Sequence, residues 1–225
     1  MPEVVVNGIK LRYEVTGNGP TAIVWTHGIG SSHHYWDEVL PQFSGFRHVS
    51  YDVRGMGESE GTDGAVSLEM WAADLNALLE EIGVERAVIA GHSMGGAIAQ
   101  RFAIDYPAKV QGLLLLSTSS RVGPAASEFW LGQADQTEAD GKARLAAAQR
   151  AVAKYHMDED LKAFNVPTLI LVGGDDQRTP PGGSVIMSRL IPDAELEIYP
   201  GIGHSVLPDE PKAVERTGAW LRQFA

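Results

Sequence analysis

"VIAGHSMGGAIAQ", residues 88–100, is the stretch on which the fold turns. Its first residues are apolar and suit an extended strand, its last six suit a helix of small residues, and Ser93 stands between them among glycines. A strand that turns directly into a helix lifts the corner side chain clear of the sheet. Such a corner is tight enough to demand small neighbours, and Gly91, Gly95 and Gly96 supply the room. The helix N-terminus then lies beneath whatever Ser93 touches, with the Met94 N–H facing a developing oxyanion. The plainer alternative is a serine that merely caps a Gly-rich helix; the strand, Gly-x-Ser-x-Gly and helix in succession favour a nucleophile.

Outward from this corner the chain alternates. "VVVNGIKLRYEV" is two strand-forming runs joined by Asn7-Gly8, a pair suited to a tight hairpin turn. Strands are expected at 21–27, 48–52, 86–91, 110–117, 167–174 and 194–200, and helices at 67–82, 94–105 and 182–190, the first ending at Gly83. Continuous apolar strands alternating with helices predict an α/β fold, a mostly parallel β-sheet with helices on both faces. Residues 121–165 break the alternation: they are helical in flavour and read as a short cap inserted over the strand ends. The expected organisation is therefore a core of 1–120 and 166–225 with the cap at 121–165.

Composition bounds the function. The 225 residues, 44% of them hydrophobic, suffice for one substantial core. Eighteen basic against 29 acidic residues give a net charge of −11, which disfavours nucleic acid and anionic membranes and makes a small neutral or cationic partner easier to bind. No leader pattern or membrane-length apolar run is visible, so the expectation is a cytoplasmic protein, monomer or homodimer. With no cysteine, disulfides and thiolate sites are excluded. "SSHHYWDE" offers no metal-ligand spacing, and neither a metal nor a cofactor is expected.

A serine hydroxyl needs a base, and the base needs an orienting carboxylate. His204, in "GIGHSVLPDEP" after the last strand, falls on the same sheet edge as Ser93. His92 adjoins Ser93 but is expected to point away around the turn, and His33-His34 reads as a polar loop. For the acid, "LVGGDDQRTP" offers both Asp175 and Asp176 beyond a strand. A second oxyanion donor is expected at the Ile29 N–H in "WTHGIGSS".

Together "HGIG", "YDVRGMGES", "GHSMGG", "GGDDQRTP" and "GIGH", in that order, make the sequence resemble the α/β-hydrolase superfamily over almost its whole length. "GHSMGGAIAQRFAIDYPAKVQGLLLLSTSSRVGP" is further similar to the serine hydrolase branch of small carboxylesterases and 3-oxoadipate enol-lactonases. The resemblance implies Ser93 as nucleophile, Asp176 as acid, His204 as base, and Ile29 with Met94 as the oxyanion hole. It implies a metal-free hydrolase acting on a small-molecule ester or lactone through an acyl-enzyme. Alternatives on the same scaffold are a C–C bond hydrolase, a cofactor-free perhydrolase or haloperoxidase, and a non-catalytic receptor. The short cap predicts an open pocket lined by Phe129, Trp130 and Leu131, with Met94 and Val206. Asp52 and Arg54 are expected to brace their loop, and Arg121 to be a solvated surface arginine rather than a contact for an anionic substrate, as an enol-lactone carboxylate would require.

Overall fold

In a computed structural model, residues 2–225 are described. β1 (Glu3–Val6) and β2 (Ile9–Thr16) form an antiparallel hairpin. Its turn residues Asn7 and Gly8 both take positive φ, 46° and 77°, as the tight turn requires. Then follow β3 (Ala22–Thr26), β4 (Arg47–Tyr51), α1 (Leu68–Glu81), β5 (Ala87–His92), α2 (Met94–Asp105) and β6 (Val110–Leu116). Three helices, α3 (Pro124–Ala139), α4 (Ala143–Val152) and α5 (Asp158–Leu161), fill the segment before β7 (Thr168–Gly173). The chain closes with α6 (Pro181–Leu190), β8 (Ala194–Tyr199), the single turn α7 (Val206–Asp209) and α8 (Pro211–Leu221).

The eight strands form one sheet in the order β1-β2-β4-β3-β5-β6-β7-β8. Every pair from β4 through β8 is parallel, and only the hairpin end is antiparallel. Alternation along each strand feeds two cores. Ala22 and Val24, Ala87 and Ile89, and Leu113 and Leu115 face the layer of α1 and α2. Ile23 and Trp25, Val88 and Ala90, and Leu114 and Leu116 face the opposite layer with Trp36, Phe43 and Trp220. Both faces are covered, so the central strands are apolar throughout rather than alternating. Fully burying each valine, leucine or isoleucine among them contributes roughly 1.5–3 kcal/mol.

Local signals set the helix ends. Ser67 caps α1, its side chain accepting from the Met70 N–H at 3.2 Å, and Gly83 with φ 67° stops it. The sequence reading did not anticipate α8, although Glu210 caps it, Pro211 opens it, and Ala213, Thr217, Trp220 and Leu221 form its buried stripe. Helix α3 buries only Ala134 fully. Arg150 of α4 ties back to it through Asp135 at 2.9 Å and Glu138 at 2.7 Å. Among the described residues no helix is long and apolar enough to cross a membrane.

Candidate active site

At the β5–α2 corner Ser93 has φ 56° and ψ −119°. A non-glycine residue in that region carries strain of order 1–3 kcal/mol, tolerated only where the surroundings fix it. The Ser93 N–H donates to Leu116 O at 2.9 Å, and its carbonyl accepts from the Gly96 N–H at 3.0 Å and the Thr118 hydroxyl at 2.8 Å. The neighbours are small for a reason of distance. A Cβ on Gly91 would lie 2.1 Å from Gly95 O, and one on Gly95 would lie 2.1 Å from Thr26 O. The serine side chain makes no helix-capping bond, so the capping alternative finds no support.

The loop after β3 lies against this corner, and a Cβ on Gly28 would come within 3.4 Å of Ser93 Cβ. Among the described residues neither the Ile29 N–H nor the Met94 N–H has a hydrogen-bond acceptor. The loop is held from behind. His27 is fully buried; its Nδ1–H donates to Gly28 O at 2.7 Å and its Nε2 accepts from the Val53 N–H at 3.0 Å. Burial pushes its pKa down to about 4, keeping it neutral. The expectation of a polar loop at His33 is corrected. His33 is fully buried, and its backbone N–H and Nδ1–H both donate to Asp52 Oδ1, at 2.6 and 2.8 Å. Burial would raise the Asp52 pKa, but the Glu58 N–H and the two His33 bonds hold it below the usual carboxylate value. Arg54 forks onto Asp74 with two bonds of 2.6 Å. Asp52 and Arg54 thus brace their loop from the interior.

After β7 the paired aspartates separate. Asp175 is exposed, whereas Asp176 is buried and its Oδ2 lies 2.8 Å from His204 Nδ1. Asp176 Oδ1 also accepts from the N–H groups of Arg178 and Thr179 at 2.9 and 3.0 Å, and the Thr179 hydroxyl donates to Oδ2 at 2.7 Å. Burial alone would raise its pKa; the His204 and Thr179 bonds lower it below the ordinary value. With Nδ1 engaged, Nε2 is the His204 nitrogen left to handle a proton.

His92 does not simply turn away. Its Nε2–H donates to His204 O at 2.9 Å, and its ring stacks on Tyr35 at 4.7 Å. Burial, with His204 nearby, drives its pKa to about 3. The role of this ring was missed because the contact spans 112 positions of sequence.

Two cavities meet at Ser93. One, of 270 Å³ on the cap side, is lined by Ile29, Met94, Ala126, Trp130 and Tyr155 among others. The other, of 380 Å³, includes Gly28, Ile29, Trp130 and His204. Trp130 borders both, but Phe129 lines neither; it is 58% exposed, because adjacent residues on a helix point about 100° apart and the inward direction belongs to Trp130. Leu131 is absent from both linings for the same reason. Val206 is also corrected. It is fully buried in the Trp25–Trp36 core, because the turn of α7 directs it beneath the sheet. Arg121, expected as a plain surface residue, borders the cap-side cavity and pairs with Asp158 at 3.1 Å.

The sheet order and this strand-end site define an α/β hydrolase, and residues 21–155 match the family model described as alpha/beta hydrolase fold. The chain belongs to that family. It is 27% identical to a thermophilic esterase from Thermogutta terrifontis, with a TM-score of 0.88 and 99% of each chain covered. It superposes on the enol-lactonase from Burkholderia xenovorans LB400 with a TM-score of 0.86 at 21% identity, over 99% of each chain. It is also 26% identical over 249 residues, 89% of this chain and 90% of the other, to the non-heme chloroperoxidase CPO-A1 of Kitasatospora aureofaciens.

Proposed function

We propose that the protein is a serine hydrolase cleaving small carboxylic esters or lactones through an acyl-enzyme. The observation that carries this reading is Ser93 on a strained corner, sharing a cavity with a His204 whose Nδ1 lies 2.8 Å from the buried Asp176. His204 Nε2 takes the Ser93 proton as Oγ attacks the carbonyl carbon. The N–H groups of Ile29 and Met94, which lack other acceptors, stabilise the oxyanion, each by roughly 2.7–4 kcal/mol in comparable sites. His204 then returns the proton to the leaving oxygen, and water, activated by the same ring, hydrolyses the acyl-enzyme. Asp176 fixes the Nδ1–H tautomer and stabilises the imidazolium. Similarity to the esterase supports this substrate class.

Rapid mixing with 4-nitrophenyl acetate tests the proposal. A burst near one equivalent of nitrophenol and an acetyl mass on the peptide holding Ser93 are expected. Ser93→Ala should fold, show no burst and lose on the order of 10⁶ in kcat. Turnover within tenfold of the parent would sink the mechanism.

A further inference from the structure

Among the described residues the backbone carbonyl of His204 has a single hydrogen-bond donor, the Nε2–H of His92 at 2.9 Å. The backbone cannot supply another. In the turn that opens α7 the Asp209 N–H donates to Ser205 O at 3.0 Å, and one residue earlier in the same pattern the partner of His204 O would be Pro208, which has no N–H. A partly buried carbonyl is costly to leave unmatched, so the donor that reaches it fixes where the segment docks. His92 precedes Ser93 at the end of β5 and is 6% exposed. Its other faces are engaged as well: the ring stacks on Tyr35, and a Cβ on Gly28 would fall 3.2 Å from Nδ1. The tautomer that serves the carbonyl leaves Nδ1 a buried acceptor with no partner, a departure from full pairing that calls for a reason.

We propose that His92 is the positioning residue for the base: through its Nε2–H it seats the His204 backbone against the strand that carries Ser93, so that the imidazole turned by Asp176 meets the serine hydroxyl. Two anchors then fix one ring, His92 at the backbone carbonyl and Asp176 at Nδ1. The carboxylate alone orients the imidazole but leaves its Cα to drift with the loop, and a misplacement of about 1 Å at a reacting group costs on the order of 10²-fold in rate. A histidine suits this task better than a lysine or arginine. The two imidazoles are 4.6 Å apart, and a charged donor at that distance would oppose the positive charge that His204 acquires on taking the serine proton. Burial keeps His92 neutral, with its pKa pushed down to about 3.

The inference rests on the acyl-enzyme reading above, and a crossed pair of variants tests it. His92→Phe keeps a ring against Tyr35 but has no N–H, whereas His92→Gln gives up the ring and keeps an N–H donor at the same distance along the side chain as Nε2. On 4-nitrophenyl acetate His92→Phe should lower kcat about 10²-fold with KM within about twofold, and His92→Gln should recover most of the loss, to within about fivefold of the parent. Deuterium uptake by the peptide holding residues 201–207 reads the docking without any turnover; it should rise in the phenylalanine variant and not in the glutamine one. If thermal melting shows that phenylalanine is too large for the site, His92→Leu repeats the loss in a smaller volume. Variants without the N–H that keep kcat within about fivefold, or a glutamine variant as slow as they are, would overturn the proposal, because packing rather than the bond would then hold the base. A parent that turns over no ester fails the acyl-enzyme reading itself, and this proposal with it, whatever the uptake shows.

Discussion

The β5–α2 corner and the helices α3 and α4 face each other across one cavity, and they are built on opposite plans. At the corner the backbone leaves no room: Gly91 packs against Gly95, Gly95 against Thr26, and the Ser93 N–H is bonded to Leu116 O. Across the cavity α3 buries only Ala134 fully, leaves Phe129 58% exposed, and is tied to α4 by ion pairs of the partly exposed Arg150. Exposed pairs of that kind contribute little each. On the proposed mechanism, groups that must sit within a fraction of an ångström of a reacting atom stand on the sheet, whereas the helices across the cavity are loosely held. Changes on the sheet side should therefore cost far more than changes on the helical side.

The largest effect expected concerns the two aspartates after β7. Asp176→Asn should leave the fold intact while lowering kcat about 10⁴-fold, because the wrong His204 tautomer faces Ser93. Asp175→Asn, at an exposed position one residue away, should change kcat less than about tenfold. Steady-state kinetics of both variants on one ester decide it, and a dead Asp175 variant beside an active Asp176 variant would reverse the assignment.

Next come two glycines. A methyl on Gly95 would meet the Thr26 backbone carbonyl oxygen at 2.1 Å, whereas one on Gly132 in α3 meets nothing within 4 Å. Gly95→Ala should destabilise by about 3 kcal/mol and disturb the Ile29 loop that follows β3. Gly132→Ala should stabilise by up to about 1 kcal/mol through helix propensity. Urea denaturation reads both, and a Gly95 variant as stable as the parent would break the contrast.

The smallest effect is on pH dependence. His27 and His92 are buried near the corner with pKa values pushed to about 4 and about 3, whereas His156, before α5, is 64% exposed. In the unfolded chain a histidine titrates near 6.5. Between pH 6.5 and 4 the unfolded state therefore binds protons that the folded state refuses. The stability these groups contribute is full above 6.5 and is lost on acidification, by up to about 1.4 kcal/mol per pH unit for each ring. His92→Gln, which keeps an N–H donor, should make the fall of Tm across that range shallower. An unchanged slope would show that the ring takes up its proton without unfolding.

What the sequence disclosed follows from the range of the interactions. The strands were legible because residues buried on both faces leave an uninterrupted apolar run, and the hairpin because Asn7-Gly8 fixes its own turn. Ser93 could be read from local spacing, and the choice of Asp176 over Asp175 came through the family pattern. Hidden were features decided by docking. Phe129 and Trp130 are equally apolar neighbours, and only the rotation of α3 against the sheet tells which one points inward. Val206 looked like a pocket residue because it follows His204, but the α7 turn sends it to the other core. His33 read as a polar loop because its partner Asp52 is 19 positions away, and the amphipathic signal of α8 was present but unread.

The bond from His92 to the His204 carbonyl joins residues 112 positions apart, and Asp176 reaches His204 across a further 28. During synthesis from the N-terminus, the Ser93 corner is complete in sequence while the His204 that docks beside it is still to be translated. A nascent chain extending through β7 carries the serine with neither Asp176 nor His204 yet made. The site is therefore completed by one late docking event, when the loop after β8 closes on a corner whose sequence was finished long before.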